Sequence, residues 1–156
     1  MLLGSTDTRN PMKALILESS RLYRQLIDNL LAQQGFDNDI TDEVAAAREL
    51  LNQQSYDLLC LNENLKDGSG LELVRQCRSS EALQGIPILF FTSDTVLARQ
   101  LKELAVNAVI PKTNLQQIHD QVLHFVEQQV APLFRKGRIL LVEDSDSIAA
   151  LIGEAL

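Results

Sequence analysis

The chain has 156 residues, a formal net charge of −7 and a pI near 4.8, and 46% of its residues are hydrophobic. This length accommodates one ordinary domain with a remainder, and the apolar share is too large for an intrinsically disordered chain. The acidic charge argues against a general nucleic-acid or membrane-surface binder, and no apolar run is long enough to cross a bilayer.

The N-terminus and the two cysteines limit the class of protein further. Residues 1–11, "MLLGSTDTRNP", lack the basic start and long apolar region of a signal peptide and are interpreted as a flexible leader. Cys60 and Cys77 have neither a metal-type spacing nor a disulfide framework, so both are interpreted as small core residues. A cytoplasmic protein is the simplest interpretation of these features.

Short apolar runs alternate along the chain with longer stretches of helical period. The runs at 13–17, 57–61 and 86–91 are apolar on both faces, as expected of strands buried in a parallel sheet. Two weaker strands are predicted at 36–41 and 107–110 from the regular alternation. The sequence therefore predicts five strands.

Five helices are predicted between and after these strands. Ser19 or Ser20 could cap the first helix, and Ser69 with Glu72 forms a capping-box pattern at the start of the third. The second helix is predicted over Ala45 to Leu51, and the fourth starts at Asp94 or Thr95. The apolar positions that define the other helices are Leu22, Tyr23, Leu26, Ile27, Leu30 and Leu31 in the first; Leu73, Val74 and Cys77 in the third; Val96, Leu97, Leu101 and Leu104 in the fourth; and Leu115, Ile118, Val122 and Val126 in the fifth.

Five β-then-α units predict an α/β fold: an open parallel sheet with right-handed crossovers and helices on both faces. Ligand sites in such sheets lie beyond the carboxyl ends of the strands. Polar residues are therefore expected to converge at that edge. They are Glu18 and Ser19 after the first strand, Asn62 after the third, Thr92 and Ser93 after the fourth, and Lys112 after the fifth.

The C-terminal segment repeats the start of the domain. "ILLVEDS" at 139–145 matches "ALILESS" at 14–20, and Leu151 and Ile152 align with Leu26 and Ile27. A repeat at the spacing of one domain indicates that a second copy begins here. The second copy is predicted at 138–156 after a linker at 131–137, and the chain is interpreted as a piece of a longer protein.

Four segments together resemble the receiver domains of two-component response regulators: "KALILESSRLYRQLI", "YDLLCLNENLKDGSGLELVRQCR", "IPILFFTSD" and "VIPKT". The resemblance covers roughly residues 12 to 130 and restarts at Arg138. It implies a flavodoxin-like (βα)5 three-layer sandwich with a five-stranded parallel sheet in the order 2-1-3-4-5. It also implies a signalling domain and no enzyme, with no catalytic residues.

The resemblance implies a phosphorylation switch. In the family an aspartate at the end of strand 3 accepts a phosphoryl group from a histidine kinase, and an acidic pair after strand 1 helps to hold Mg²⁺. A hydroxyl after strand 4 senses the phosphoryl group, and a lysine after strand 5 pairs with it. Glu18, Thr92 and Lys112 match this pattern, and Glu143 with Asp144 would be the acidic pair of the second receiver.

The sequence departs from the family pattern at the residues that carry the chemistry. Asn62 occupies the phosphoacceptor position, and Ser19 replaces one acid of the pair. Val109 replaces the usual aromatic switch residue, and Thr113 follows Lys112 where a proline is common. Because an amide cannot attack a phosphoryl donor, the expectation is a degenerate receiver, a pseudo-receiver that keeps the fold without the chemistry.

The metal expectation follows from the loss of carboxylates. No cofactor and no metal are expected, with weak Mg²⁺ binding at Glu18, Asn62 and Asn64 as the open alternative. Glu63 and Asp67 are expected to be exposed turn residues, although either could partly replace the lost acids.

Lys112 is expected to bridge to Glu18 or to hydrogen-bond Asn62. His119 and His124 lie on different faces of a helical pattern and are interpreted as solvated surface residues.

Three function classes are compared. The first is a non-phosphorylatable receiver that acts as an interaction or dimerisation module, and the second is a competent receiver with an unusual acceptor such as Ser19 or Glu63. The third, a small α/β enzyme or flavin carrier, is poorly supported, because "ESSRLY" has no glycine for a phosphate loop and Glu18 stands where a phosphatase of this class needs an aspartate.

Protein partners are expected, and nucleic acid and membrane are not. By the resemblance they are the second receiver, an output domain such as a diguanylate cyclase, a histidine kinase, and a second copy bound through the face of helix 4, strand 5 and helix 5. Leu123, Phe125 and Val130 are either exposed on that face or part of an extended core.

Overall fold

The computed structural model describes residues 12–130, which form one five-stranded sheet and five helices. A short antiparallel hairpin of Asn64–Leu65 and Gly68–Ser69 is separate from the sheet. The strands of the sheet are β1 (Met12–Leu17), β2 (Phe36–Thr41), β3 (Leu58–Asn62), β4 (Ile88–Phe91) and β5 (Ala108–Ile110). The helices are α1 (Arg21–Gln33), α2 (Val44–Gln53), α3 (Gly70–Ser79), α4 (Thr95–Glu103) and α5 (Leu115–Phe125), which continues as the π-helical turn Val126–Val130.

The strands lie in the order β2-β1-β3-β4-β5, and every pair is parallel. This is the flavodoxin-like order 2-1-3-4-5 with the predicted alternation of strands and helices, so the predicted fold class is confirmed. The register places Leu17 beside Leu61 and Asn62 beside Phe91. The ends of β1, β3 and β4 therefore meet at one edge of the sheet.

The core explains why the strands are apolar on both faces. One cluster of buried side chains joins alternate strand residues to the inner faces of α2, α3 and α4. Its strand members are Leu15, Leu17, Leu59, Leu61, Ile88 and Phe90. The alternate residues Ile16, Cys60, Leu89 and Phe91 are also buried. Because successive side chains point to opposite faces of a sheet, these residues face the other side, where α1 packs on β1 and β2.

Three residues assigned to apolar helix faces are exposed instead. Leu22 is 55% exposed, Val96 60% and Leu115 40%. Each lies in the first turn of its helix, α1, α4 or α5. These helices begin beyond the carboxyl ends of the strands, so their first turns project past the surface that the sheet can cover. The inner-face assignment was wrong at these three positions.

Several predictions fall outside the described residues. They concern the leader at 1–11, the linker at 131–137 and the second receiver at 138–156 with Glu143 and Asp144. Within the described residues, the boundary between two compact units falls between His124 and Phe125. In the described part of the second unit, Phe125, Val126 and Val130 are buried.

None of the helices described within residues 12–130 is long and apolar enough to cross a membrane.

Candidate functional site

Glu18 lies one residue beyond β1 and turns into the edge of the sheet. Its backbone N–H donates to Thr41 O at 3.2 Å, which extends the pairing of β1 with β2 by one step. Ser20 is the N-cap of α1, and its hydroxyl oxygen accepts from the Tyr23 N–H. This geometry leaves the Glu18 carboxylate only 1% exposed.

The buried carboxylate is surrounded by protein donors. Oε2 accepts from the Ser20 N–H at 3.0 Å, the Asn62 side-chain amide at 3.2 Å and the Lys112 ammonium at 3.3 Å. Oε1 lies 3.2 Å from Lys112 Nζ as an ion pair, although the described residues give it no bond of hydrogen-bonding geometry. Because a buried charge is costly unless it is paired, Lys112 and Asn62 are what keep Glu18 in this position.

Lys112 is fixed from three sides. Its backbone N–H donates to Ser93 Oγ at 3.0 Å, which links the ends of β4 and β5. Its ammonium lies against Glu18 and 4.5 Å from the centre of the Tyr23 ring. A cation over an aromatic face is attracted by the ring, so Tyr23 stabilises the ammonium and covers the ion pair. The Lys112 side chain is only 22% exposed.

Asn62 and Ser19 share a single acceptor. The Asn64 carbonyl oxygen accepts from the Asn62 side-chain amide and from the Ser19 hydroxyl, each at 3.3 Å. Asn62 is the last residue of β3 and is buried. Gly70 packs against it so closely that an added Cβ would lie 2.1 Å from Asn62 O. The start of α3 therefore fixes the backbone that carries the amide.

Thr92 belongs to a second group of hydrogen bonds at the same edge. Its side chain is buried just beyond β4, and its hydroxyl donates to Glu63 Oε1. The same hydroxyl oxygen accepts from the Asp94 N–H at 3.1 Å. Glu63 is half-buried and its carboxylate accepts from Thr92, so the expectation that it is an exposed turn residue was wrong.

Asp67 is directed away from the pocket. It is exposed at the hairpin turn, and its carboxylate accepts from the backbone N–H groups of Val44 and Ala45 at the start of α2. These backbone hydrogen bonds hold the pKa of Asp67 below its ordinary value. Asp67 therefore supplies the cap that Glu43, which makes no side-chain cap bond, does not. Its carboxylate therefore takes no part in the Glu18 network.

The predicted convergence of polar residues is present. Asn62 and Lys112 each donate to Glu18, and Ser93 and Ser19 join them through backbone groups. Lys112 takes the first of its two expected partners, Glu18. Residues 12–130 hold no group of three or more His, Cys, Asp or Glu side chains that could bind a metal ion.

The other predicted positions lie near the edge or beyond it. Val109 is half-buried in β5, and the Thr113 hydroxyl donates to Gln117 Oε1 at 2.8 Å. His119 lies 3.1 Å from its neighbour Asp120, and His124 is exposed. None of these residues contributes to the Glu18 network.

Three features were not predicted from the sequence: the hairpin, the position of Tyr23 over Lys112, and the bond between Glu63 and Thr92. "KDG" between short polar segments is a turn signal that could have indicated the hairpin. Tyr23 and Glu63 are brought to their partners by the packing of distant segments, which leaves no local signal.

Both cysteines are buried, and burial raises the pKa of each thiol above its ordinary value. Since the thiolate is the reactive form, Cys60 and Cys77 are structural residues, as predicted.

Comparison with known proteins gives one family. The model described as "Response regulator receiver domain" matches residues 14–123. The chemotaxis protein CheY of Pseudomonas aeruginosa is 32% identical over 84 residues, which are 53% of this chain and 68% of that protein. The transcriptional regulatory protein CusR of Escherichia coli strain K12 is 27% identical over 146 residues, 90% of this chain and 59% of that protein. The matches therefore span roughly 60 to 70% of these relatives' lengths.

Solved structures share the fold. The Mn(2+)-bound form of response regulator Rcp1 has a TM-score of 0.69 at 23% identity, covering 77% of this chain and 95% of that one. A response regulator receiver protein from Pseudomonas putida has a TM-score of 0.62 at 23% identity, covering 73% of this chain and 97% of that one. At this level of identity the likeness supports the architecture alone.

Proposed function

The chain belongs to the response regulator receiver family, and we propose that it is a receiver that cannot be phosphorylated at its strand-3 position and that regulates through protein association. Receiver domains are signalling modules of two-component systems and not enzymes. The proposal concerns what this receiver does with a pocket whose chemistry has changed. A cytoplasmic location is proposed on the same family membership.

One observation carries the proposal: the residue at the phosphoacceptor position is an amide that is already used as a donor. Asn62 Nδ2 donates to Glu18 Oε2 and to the Asn64 carbonyl oxygen. An amide has no nucleophilic carboxylate oxygen to attack a phosphoryl donor. In addition, Lys112, which would pair with a phosphoryl group, is held by Glu18 and Tyr23.

Incubation with acetyl phosphate and Mg²⁺, followed by intact mass spectrometry, tests the proposal. The unmodified chain is expected to gain no phosphoryl mass. The matched control is the double variant Ser19→Asp, Asn62→Asp, which restores both acids and is expected to gain an acid-labile adduct. An acid-labile adduct on the unmodified chain that persists in Glu63→Gln would refute the proposal.

The second function class, a receiver with an unusual acceptor, remains a narrower candidate. Ser19 and Glu63 are its candidate acceptors, but the Ser19 hydroxyl donates to Asn64 O and the Glu63 carboxylate accepts from Thr92. If an adduct does form, its loss in Ser19→Ala or in Glu63→Gln identifies which of the two residues carries it.

We propose that the pocket does not hold Mg²⁺, because its donors do not fit a hard cation. Such a cation prefers several oxygen ligands, with carboxylates among them. Here Glu18 is the single carboxylate of its network and is paired with Lys112, and the Asn64 carbonyl accepts from two protein donors. Titration calorimetry is expected to show no saturable Mg²⁺ binding to the unmodified chain and measurable binding to Ser19→Asp, Asn62→Asp.

The segment at 138–156 is proposed to be the start of a second receiver, so that the full protein is a tandem regulator. The support is the repeat of "ALILESS" as "ILLVEDS". An output domain such as a diguanylate cyclase and a cognate histidine kinase are proposed from the family alone. A chain that ends near residue 131 is expected to stay folded; loss of its cooperative unfolding transition would contradict this domain division.

Association is proposed to involve the face of α4, β5 and α5. Val96 on α4 is a largely exposed apolar side chain, and Val109 on β5 is only half-buried. Light scattering across a concentration series is expected to show a dimer that Val96→Glu weakens. A strict monomer at every concentration would contradict the proposed association of two copies.

A further inference from the structure

Glu63 follows the altered phosphoacceptor position directly and is held by its backbone as well as its side chain. Its carbonyl oxygen accepts from the Gly70 N–H at 3.0 Å, which ties it to the start of α3. Its Oε1 accepts from the Thr92 hydroxyl at 2.5 Å. Both the backbone and the carboxylate of Glu63 are therefore held by hydrogen bonds, and the carboxylate lies beside the Thr92 hydroxyl that follows β4.

The bond to Thr92 continues into α4. The Thr92 hydroxyl oxygen accepts from the Asp94 N–H at 3.1 Å. Asp94 is the N-cap of α4, and its Oδ1 accepts from the N–H groups of Val96 at 2.9 Å and Leu97 at 3.1 Å. A single series of hydrogen bonds thus connects the loop after β3 to the first turn of α4.

We propose that Glu63 is a built-in latch for this series: its side-chain oxygen gives Thr92 an acceptor from within the chain and holds the start of α4 in one position without a phosphoryl group. The proposal rests on the proposed function, because a receiver without phosphorylation needs an acceptor for this hydroxyl from within the chain. Glu63 is a positioning residue, acting on α4 through Thr92 and Asp94.

The geometry favours a carboxylate in this role over chance contact. Thr92 is buried, so its hydroxyl would be costly to leave without an acceptor. A hydrogen bond to an ionised acceptor is stronger than one between neutral groups, and a half-buried position limits competition from water. Once Thr92 donates to Glu63, its oxygen lone pairs are oriented to accept from the Asp94 N–H.

Amide hydrogen exchange of the full chain, measured residue by residue by NMR without any phosphoryl donor, tests the latch. Glu63→Ala is expected to speed exchange about tenfold at the N–H groups of Asp94, Val96 and Leu97, since a hydrogen bond to a charged group is worth about 1.5 kcal/mol or more. Glu63→Gln keeps an oxygen acceptor and is expected to restore most of the protection.

Variants of Thr92 test whether the effect passes through its hydroxyl. Thr92→Ser keeps the hydroxyl and is expected to resemble the unmodified chain. Thr92→Val removes both the donor to Glu63 and the acceptor of the Asp94 N–H, so it is expected to speed exchange at least as much as Glu63→Ala. The double variant Glu63→Ala, Thr92→Val should exchange no faster than Thr92→Val alone. If the exchange rate in the double variant rose by the product of the two single-variant increases, Glu63 and Thr92 would not act through the same hydrogen bond.

The start of α2 is the internal reference, because Asp67 caps it independently through Val44 and Ala45. Their amides should keep their exchange rates in every variant. The latch is refuted if Glu63→Ala changes exchange at the α4 amides less than about twofold, or speeds the α2 amides equally. Phosphorylation of the unmodified chain would refute the proposed function and leave this result unaffected.

Discussion

A lysine, a tyrosine and one or two carboxylates lie together at each end of β1, but in different surroundings. At the amino end, Lys13 Nζ lies 3.4 Å from Asp39 and 3.5 Å from Asp37, with its Nζ 5.7 Å from the Tyr56 ring centre. The amino-end cluster consists of Lys13, Asp37, Asp39 and Tyr56. The carboxyl-end cluster consists of Glu18, Asn62, Lys112 and Tyr23.

The clusters differ in burial and in redundancy. Asp37 and Asp39 are 60% and 32% exposed, and Asp39 has further donors in Tyr56 and Gln54. In the carboxyl-end cluster the single carboxylate is buried and depends on one ammonium. At the amino end, a carboxylate that loses one partner still has other donors and water. At the carboxyl end, the buried carboxylate has a single counter-charge.

The largest expected effect is that of Lys112→Met. It leaves the Glu18 carboxylate buried without its counter-charge and should lower the free energy of unfolding by about 3 kcal/mol. Urea denaturation measures this loss. The double variant Glu18→Gln, Lys112→Met should recover most of it, because no uncompensated charge remains. Equal losses in the single and double variants would show that packing, and not charge, dominates this cluster.

Gly70→Ala disturbs the carboxyl-end cluster without changing a charge. The added Cβ would lie 2.1 Å from Asn62 O, so the backbone of β3 or α3 must move. A loss of about 2 kcal/mol in unfolding free energy is expected from such overpacking. Gly85→Ala is the matched control, since its Cβ would meet nothing within 4 Å. A Gly70→Ala protein as stable as the control would contradict the close packing around Asn62.

Tyr56→Phe tests the amino-end cluster through the hydrogen bond from the Tyr56 hydroxyl to Asp39 Oδ2 at 2.6 Å. Its loss should cost about 1.5 kcal/mol near neutral pH. Burial, and then the hydrogen bond and charge of Asp39, raise the pKa of Tyr56 above its ordinary value.

The pH dependence of this variant follows from the sign of the shift. A raised pKa stabilises the fold fully below the unfolded value of about 10 and less as the pH rises above it. The stability difference between the unmodified chain and Tyr56→Phe should therefore be constant below that pH and shrink above it. A difference that grows with alkaline pH would contradict the assignment.

The smallest expected effect is that of Lys13→Met, the counterpart of Lys112→Met. Its carboxylate partners are partly exposed and can be solvated, so the loss should be about 0.5 kcal/mol and should decrease with added salt. A loss as large as that of Lys112→Met would remove the contrast between the two ends of β1.

The sequence was sufficient for the sheet because its signals are periodic and local. Phe36–Thr41 was placed correctly even though it was a weak strand prediction, and α4 begins at Thr95, one of its two predicted starts, with Asp94 as the N-cap. The first turns of the helices were less predictable. Leu22 and Val96 satisfy helical periodicity, but whether a first turn is covered depends on how far the sheet extends beneath it.

The sequence was sufficient to predict where the site residues lie, but not which of them form hydrogen bonds with one another. Fold rules place Glu18, Asn62 and Lys112 at one edge, since strand ends of a parallel sheet converge. Which donor meets which acceptor depends on side-chain geometry between residues that are far apart in sequence. Glu18 is separated from Asn62 by 44 positions and from Lys112 by 94. Asp67 shows the same limit: its type suits a pocket, but the turn directs it to α2.

The central claim is that protein donors, and not a cation and a phosphoryl group, complete the carboxyl-end cluster. Amide chemical shifts during a titration with Mg²⁺ and acetyl phosphate test it most directly. In the unmodified chain the N–H signals of Ser20, Asn64 and Lys112 should stay in place, while in Ser19→Asp, Asn62→Asp they should shift and saturate. Saturable shifts of these three signals in the unmodified chain would contradict the claim.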